Sequence, residues 1–105
     1  MHAFAILSDP VRRRILEHLG DRDLSSGAVV DGVGKEFGIT QSAISQHLKV
    51  LRENGFARVR VDGARRIYSL EPRGLEDIDR WLAPFRRFWE PKFTALAQEV
   101  EREKK

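Results

Sequence analysis

The segment Val30–Leu51 most narrows the folds open to this chain. Val30, Val33 and Phe37 are spaced for one face of a helix, and Gly38-Ile39-Thr40 makes a tight turn. Thr40 is placed to cap a longer helix running from Gln41 to about Asn54, where Ile44, Leu48 and Leu51 form an apolar stripe. Gly55 then stops that helix. Two helices joined by so short a turn need a small residue where they cross, a glycine in the turn and an apolar anchor on the second helix. Gly34, Gly38 and Ile44 fill those roles. Gly32 fills none. A glycine costs about 1 kcal/mol relative to alanine inside a helix, so the first helix is expected to be short or irregular.

The flanking sequence supplies further elements. Ala3–Leu7 reads as a short apolar helix. Asp9 is placed to cap the next helix, and Pro10 suits its first position, where no N–H is needed. Val11, Ile15 and Leu19, with Leu16 beside them, form its buried face, Arg12-Arg13-Arg14 falls largely on the wet side, and Gly20 ends it. Residues 20–28 read as a linker. Ala57–Val61 and Arg66–Leu70 are β-prone, and Asp62-Gly63 between them is a hairpin signal.

The last third is helical by pattern. Leu75, Ile78, Leu82, Phe85, Trp89, Phe93, Leu96 and Val100 step by three and four. Pro84 and Pro91 lie nearly opposite that stripe, so either one bent helix over about 74–103 or a split near Ala83 satisfies the sequence. Glu76, Asp77 and Asp79 suit the positive start of this helix. The fold expected is mainly α with a small β-hairpin: one domain over 1–105, with a helix-turn-helix at about 29–54 and a wing at about 57–70.

That arrangement has a natural use. A step of 100° per residue from the buried Ile44 places Ser42, Ser45, Gln46 and Lys49 outward, with Gln41 and Arg52 at the edges. Amide, hydroxyl and cationic side chains suit base edges and phosphates in a major groove, with Gln46 able to pair bidentately with adenine. Arg65 and Arg66, near the wing's tip, are placed for DNA backbone or minor groove. Charge agrees. Residues 41–73 carry seven Lys/Arg against three acids, whereas the 105-residue chain as a whole has a net charge of only +3. His47, between the two faces, is assigned to packing or phosphate.

Other functions find less support. The chain has no cysteine, which removes disulfides, thiolate metal sites and cysteine nucleophiles. Its histidines are His2, His18 and His47, and they form no visible zinc set. Gly32-Val33-Gly34-Lys35-Glu36 fails the phosphate-loop pattern, and no nucleophile elbow is present. No enzyme, cofactor or metal is expected. No apolar run approaches the ~18 residues of a membrane span, and no secretory leader pattern opens the chain, so the expectation is a cytoplasmic protein without membrane contact. The rival is a winged helix used as a protein-interaction module without specific DNA binding.

Four segments resemble a known family. Leu7–Leu16 (LSDPVRRRIL) resembles the opening helix of ArsR-type winged-helix repressors. Gly38–Leu51 (GITQSAISQHLKVL) looks like their recognition helix, and Val61–Leu70 (VDGARRIYSL) like their wing. Trp81–Glu90 (WLAPFRRFWE) resembles the branch containing autorepressors without metal sites. The resemblance implies a homodimer that represses transcription from a palindromic operator in double-stranded DNA. It also implies dimerisation through the N- and C-terminal helices, here Phe4, Leu7, Trp81, Leu82, Phe85, Phe88, Trp89, Phe93 and Leu96. The thiolate positions of metal-sensing relatives match Val29 and Asp31, so no metal-thiolate response is expected. An unidentified small-molecule effector is left room.

Overall fold

A computed structural model describes residues 2–90. Helix α1 (Ala3–Leu7) leads through Ser8 and Asp9 into α2 (Pro10–Asp21). The Asp9 carboxylate accepts from the amides of Val11 and Arg12 at 2.8 and 3.3 Å, and Pro10 opens the helix, as the sequence anticipates. The three arginines that follow are not simply solvated. Arg12 donates to the carbonyls of Ile6 (2.8 Å) and Ala5 (3.1 Å), and Arg13 to that of Leu7 (2.6 Å). They satisfy the orphan carbonyls at the end of α1 and fix its angle to α2.

Residues 20–28 are not a linker. Gly20 and Asp21 still belong to α2, β1 (Leu24–Ser25) follows, and helix resumes at Ser26. Leu24 and Ser25 pair with Tyr68 and Ile67, so long-range partners give this stretch its structure. From there α3 (Ser26–Val29), a π turn (Val30–Gly34) and α4 (Lys35–Phe37) run on without a break. The π turn is the irregularity that Gly32 foretells. It holds extra residues per turn and shifts the buried face. Val29, Val33 and Gly34 are the buried residues, Val30 is half-buried, and Phe37, set by its spacing on the same face as Val30 and Val33, is 37% exposed.

Gly38 (φ 65°) ends α4 in the left-handed region. The Ile39 amide donates to Gly34 O at 3.0 Å and the Gly38 amide to Lys35 O at 3.3 Å. Helix α5 (Gln41–Glu53) starts under Thr40, whose hydroxyl accepts from the Ala43 amide at 3.1 Å. It closes the same way at Gly55 (φ 79°), with the Phe56 amide on Leu51 O at 2.9 Å.

Strands β2 (Ala57–Asp62) and β3 (Arg65–Leu70) pair antiparallel, and β1 lies on the other side of β3. Because Asp62 pairs with Arg65, the hairpin loop is Gly63-Ala64, one residue beyond the Asp62-Gly63 read from the sequence. Among the described residues only glycines have positive φ, and Gly63 takes the first loop position at 63°. Helix α6 (Arg73–Leu82) gives way at Ala83 to a 3-10 stretch, Ala83–Phe88, which decides for the split over one bent helix up to that point. Pro91, Phe93, Leu96 and the rest of the expected 74–103 helix lie outside the described residues.

One core binds these parts. Ile6 from α1, Ile15 and Leu19 from α2, Val29, Val33, Ile44, Leu48, Leu51, Phe56 and Tyr68 all enter it, and Leu75 and Ile78 of α6 pack on its edge. Phe56 is wholly buried, at a position worth about 3–5 kcal/mol on truncation.

Candidate nucleic-acid interface

Burying Ile44, Leu48 and Leu51 forces the opposite face of α5 into solvent. Gln41, Ser42, Ser45, Gln46, Lys49 and Arg52 are all exposed. The first five line one shallow concavity on the helix. Ser45, Lys49 and Arg52 also line a second, where α5, the start of α3 and the wing meet, and there Arg66 joins them. The structure therefore gathers seven of the eight residues read from the sequence. Arg65 stands apart, 3.5 Å from Asp62 at the hairpin tip.

Two residues on the second concavity, Ser26 and Tyr68, were not anticipated. Ser26 fell within the supposed linker. A signal was present, since Ser25 three residues before Ala28 is a serine cap, and its hydroxyl accepts from the Ala28 amide at 3.1 Å. Tyr68 is 6% exposed and reads from the sequence only as a strand residue.

Ion pairing divides the basic residues. Arg58 lies 2.6 Å from Glu71, and Arg60 lies 3.0 Å from Asp23. Lys49, Arg52 and Arg66 have no carboxylate partner among the described residues. Positive charge that is not internally balanced thus collects on one side of the wing, facing α5. Two further groups have shifted titration. Burial pushes the Asp9 carboxyl up, but the amides of Arg12 and Val11, with the charges of His47 and Arg12, together hold it below the ordinary carboxylate value. Hydrogen bonds from Arg14 to Glu17 and Glu36 raise the Arg14 pKa.

A second exposed surface has opposite chemistry. Phe4 meets Trp81 edge to face at 5.2 Å between centroids, and Trp81 meets Phe85 at 4.8 Å. All three are exposed, as are Phe88 and Trp89, while Leu7 and Leu82 are half-buried beside them. So large an aromatic surface is uncommon on a chain that stays single.

Comparison with known proteins follows the same lines. A model described as a helix-turn-helix domain matches residues 7–60. The HTH-type transcriptional regulator Rv2034 of Mycobacterium tuberculosis is 34% identical, over 96% of this chain and 88% of its own length. The transcriptional repressor SdpR of Bacillus subtilis is 31% identical, over 80% of this chain and 89% of its own. The crystal structure of an ArsR family transcriptional regulator superposes with a TM-score of 0.70 at 25% identity, covering 84% of this chain and 87% of that one.

Proposed function

Since the chain belongs to the ArsR-type winged helix-turn-helix transcriptional regulators, we propose that it acts as a homodimeric, sequence-specific DNA-binding repressor. The observation that carries this reading is the convergence of Lys49, Arg52 and Arg66, none of them ion-paired among the described residues, on one concavity beside the exposed polar face of α5. In this reading α5 enters the major groove. Gln41, Ser42, Ser45 and Gln46 meet base edges, Lys49, Arg52 and Arg66 meet phosphates, and Arg65 trades Asp62 for backbone or minor groove on binding. Ser26 adds a hydroxyl to the phosphate contacts.

A second copy covers the aromatic surface. Burial of Phe4, Leu7, Trp81, Leu82, Phe85, Phe88 and Trp89, continued by Phe93 and Leu96, makes a two-fold dimer and so a palindromic operator. Repression is supported by the likeness to SdpR, a repressor by name. With no cysteine in the chain, release from DNA does not run through metal thiolates.

The test is a titration of labelled duplex from the region upstream of the chain's own gene, against a scrambled duplex, at two salt concentrations. Tighter binding to the upstream duplex is expected, with affinity falling steeply as salt rises. Neutralising Lys49, Arg52 and Arg66 together lowers the salt slope by about one for each phosphate that no longer meets a cation. Failure to bind either duplex at low salt would overturn the proposal and leave the aromatic surface as the docking face of a protein-interaction module.

A further inference from the structure

The π turn Val30–Gly34 borders a feature that the DNA face does not use. Between it and the C-terminal end of α2 lies a hollow of about 120 Å³. Val29 and Val33, each 1% exposed, form its floor with Leu24, and Gly32 lines one side. His18 and Arg22, from the end of α2, supply the polar lining.

Two departures from good helix geometry coincide here. Alanine is a much better helix former than glycine, yet position 32 is glycine in a π turn. No crowding explains it, because a Cβ on Gly32 would meet nothing within 4 Å. What the glycine leaves is open space beside the hollow. π turns of this kind occur frequently at functional sites.

The charge at the rim points to the ligand. Arg22 is flanked by Asp21 and Asp23 but has no carboxylate partner among the described residues, Asp23 being 3.0 Å from Arg60. An apolar floor under a guanidinium and an imidazole recognises a compact hydrocarbon body bearing one anionic group. A closed apolar cavity of roughly 150 Å³ holds benzene, so this hollow suits one ring or a chain of about four to six carbons.

We propose that the hollow binds small organic monocarboxylates, with the carboxylate on Arg22 and His18 and the hydrocarbon on Val29 and Val33, and that occupancy changes DNA affinity. The second half rests on the regulator reading above. Its physical route is short. The π turn ends at Gly34, whose added Cβ would stand 3.5 Å from Ile44 on the buried face of α5, so a shift of the turn presses on α5 from beneath and moves the helix that carries the polar face.

The test of the site is an amide NMR titration of the full chain with benzoate, and with benzyl alcohol as the neutral counterpart. Saturable shifts on residues 18–33 are expected, with a dissociation constant on the order of 1 mM and the alcohol about fivefold weaker or worse. Arg22→Gln should weaken benzoate about fivefold and leave the alcohol unchanged, because one charge-assisted hydrogen bond goes with the guanidinium. Gly32→Leu, which fills the open space, should remove both. Absence of saturable shifts, or equal binding of acid and alcohol, would overturn the site.

Coupling is read separately, as the affinity of the upstream duplex with and without about 10 mM benzoate, well above that constant. A change of about fivefold or more that Gly32→Leu abolishes supports it. An unchanged affinity overturns the regulatory half alone. Should no duplex bind at all, the regulator reading and the coupling fall together, and the NMR titration still decides the hollow.

Discussion

Helix α5 meets its neighbours at two junctions lined by glycine, and the two differ in what they tolerate. At the crossing with the π turn, a Cβ on Gly34 would lie 3.5 Å from Ile44 Cγ1 and 3.6 Å from Ile39 O, which is ordinary contact. At the other end Gly55 leads into Phe56, and α6 returns to cover both. There a Cβ on Gly74 would lie 2.6–2.7 Å from three carbons of the Phe56 ring. Backbone bonds hold the approach, Gly74 N to Gly55 O at 2.9 Å and Glu71 N to Phe56 O at 3.0 Å. The crossing that defines the motif is the forgiving junction. The rigid one is where the motif is fastened to the rest of the chain.

The contrast orders the expected effects of substitution. Gly74→Ala should be the most damaging, at about 3 kcal/mol, because the ring it strikes has no free space to enter. Thermal unfolding would show it as a fall in Tm of more than about 12 °C. Pairing it with Phe56→Leu should return part of that stability, and failure to do so would break the steric account. Gly55→Ala should cost about 2 kcal/mol, since φ is 79° and the new Cβ would lie 3.0 Å from the Arg73 Nε. Asp9→Ala, remote from both junctions, gives the scale of an ordinary cap at about 1 kcal/mol.

The same residue carries a pH signature. Its folded pKa is depressed, so its contribution is present above the unfolded value and fades as pH falls through the lower folded one. Asp9→Asn keeps a cap without that titration. Urea unfolding across the acid range should show a flatter stability curve for Asp9→Asn than for the parent. Smallest of all, Gly34→Ala should leave stability unchanged or raise it by up to about 1 kcal/mol, the gain in helix propensity offsetting a mild contact. A large destabilisation there would erase the difference between the junctions.

Legibility in the sequence followed the range of the interactions. Asp9, Thr40, Gly38 and Gly55 act on amides and carbonyls a few residues away, and each was readable where it stands. The outward face of α5 was readable too, because one buried stripe fixes the helix phase. Residues 20–28 misled because nothing local marks Leu24 as the partner of Tyr68. Phe37 misled because the π turn changes the period that places a side chain inside or outside. Nor could a list of basic residues separate Arg58 and Arg60, whose partners are Glu71 and Asp23, from Lys49 and Arg66. The Phe56–Gly74 contact joins two segments whose approach only the folded chain reveals.

The pairing of β1 with β3 has a consequence for the order of folding. It joins residue 24 to residue 68 and so closes a loop around every helix from α3 to α5. The β2–β3 hairpin needs only a two-residue loop, whereas β1 contributes two residues and must wait for a distant partner. Closing so long a loop carries the larger entropic cost for the fewer bonds. The stitch is therefore expected to form late on the folding pathway and to be among the first backbone pairings to exchange its amide hydrogens in the native protein.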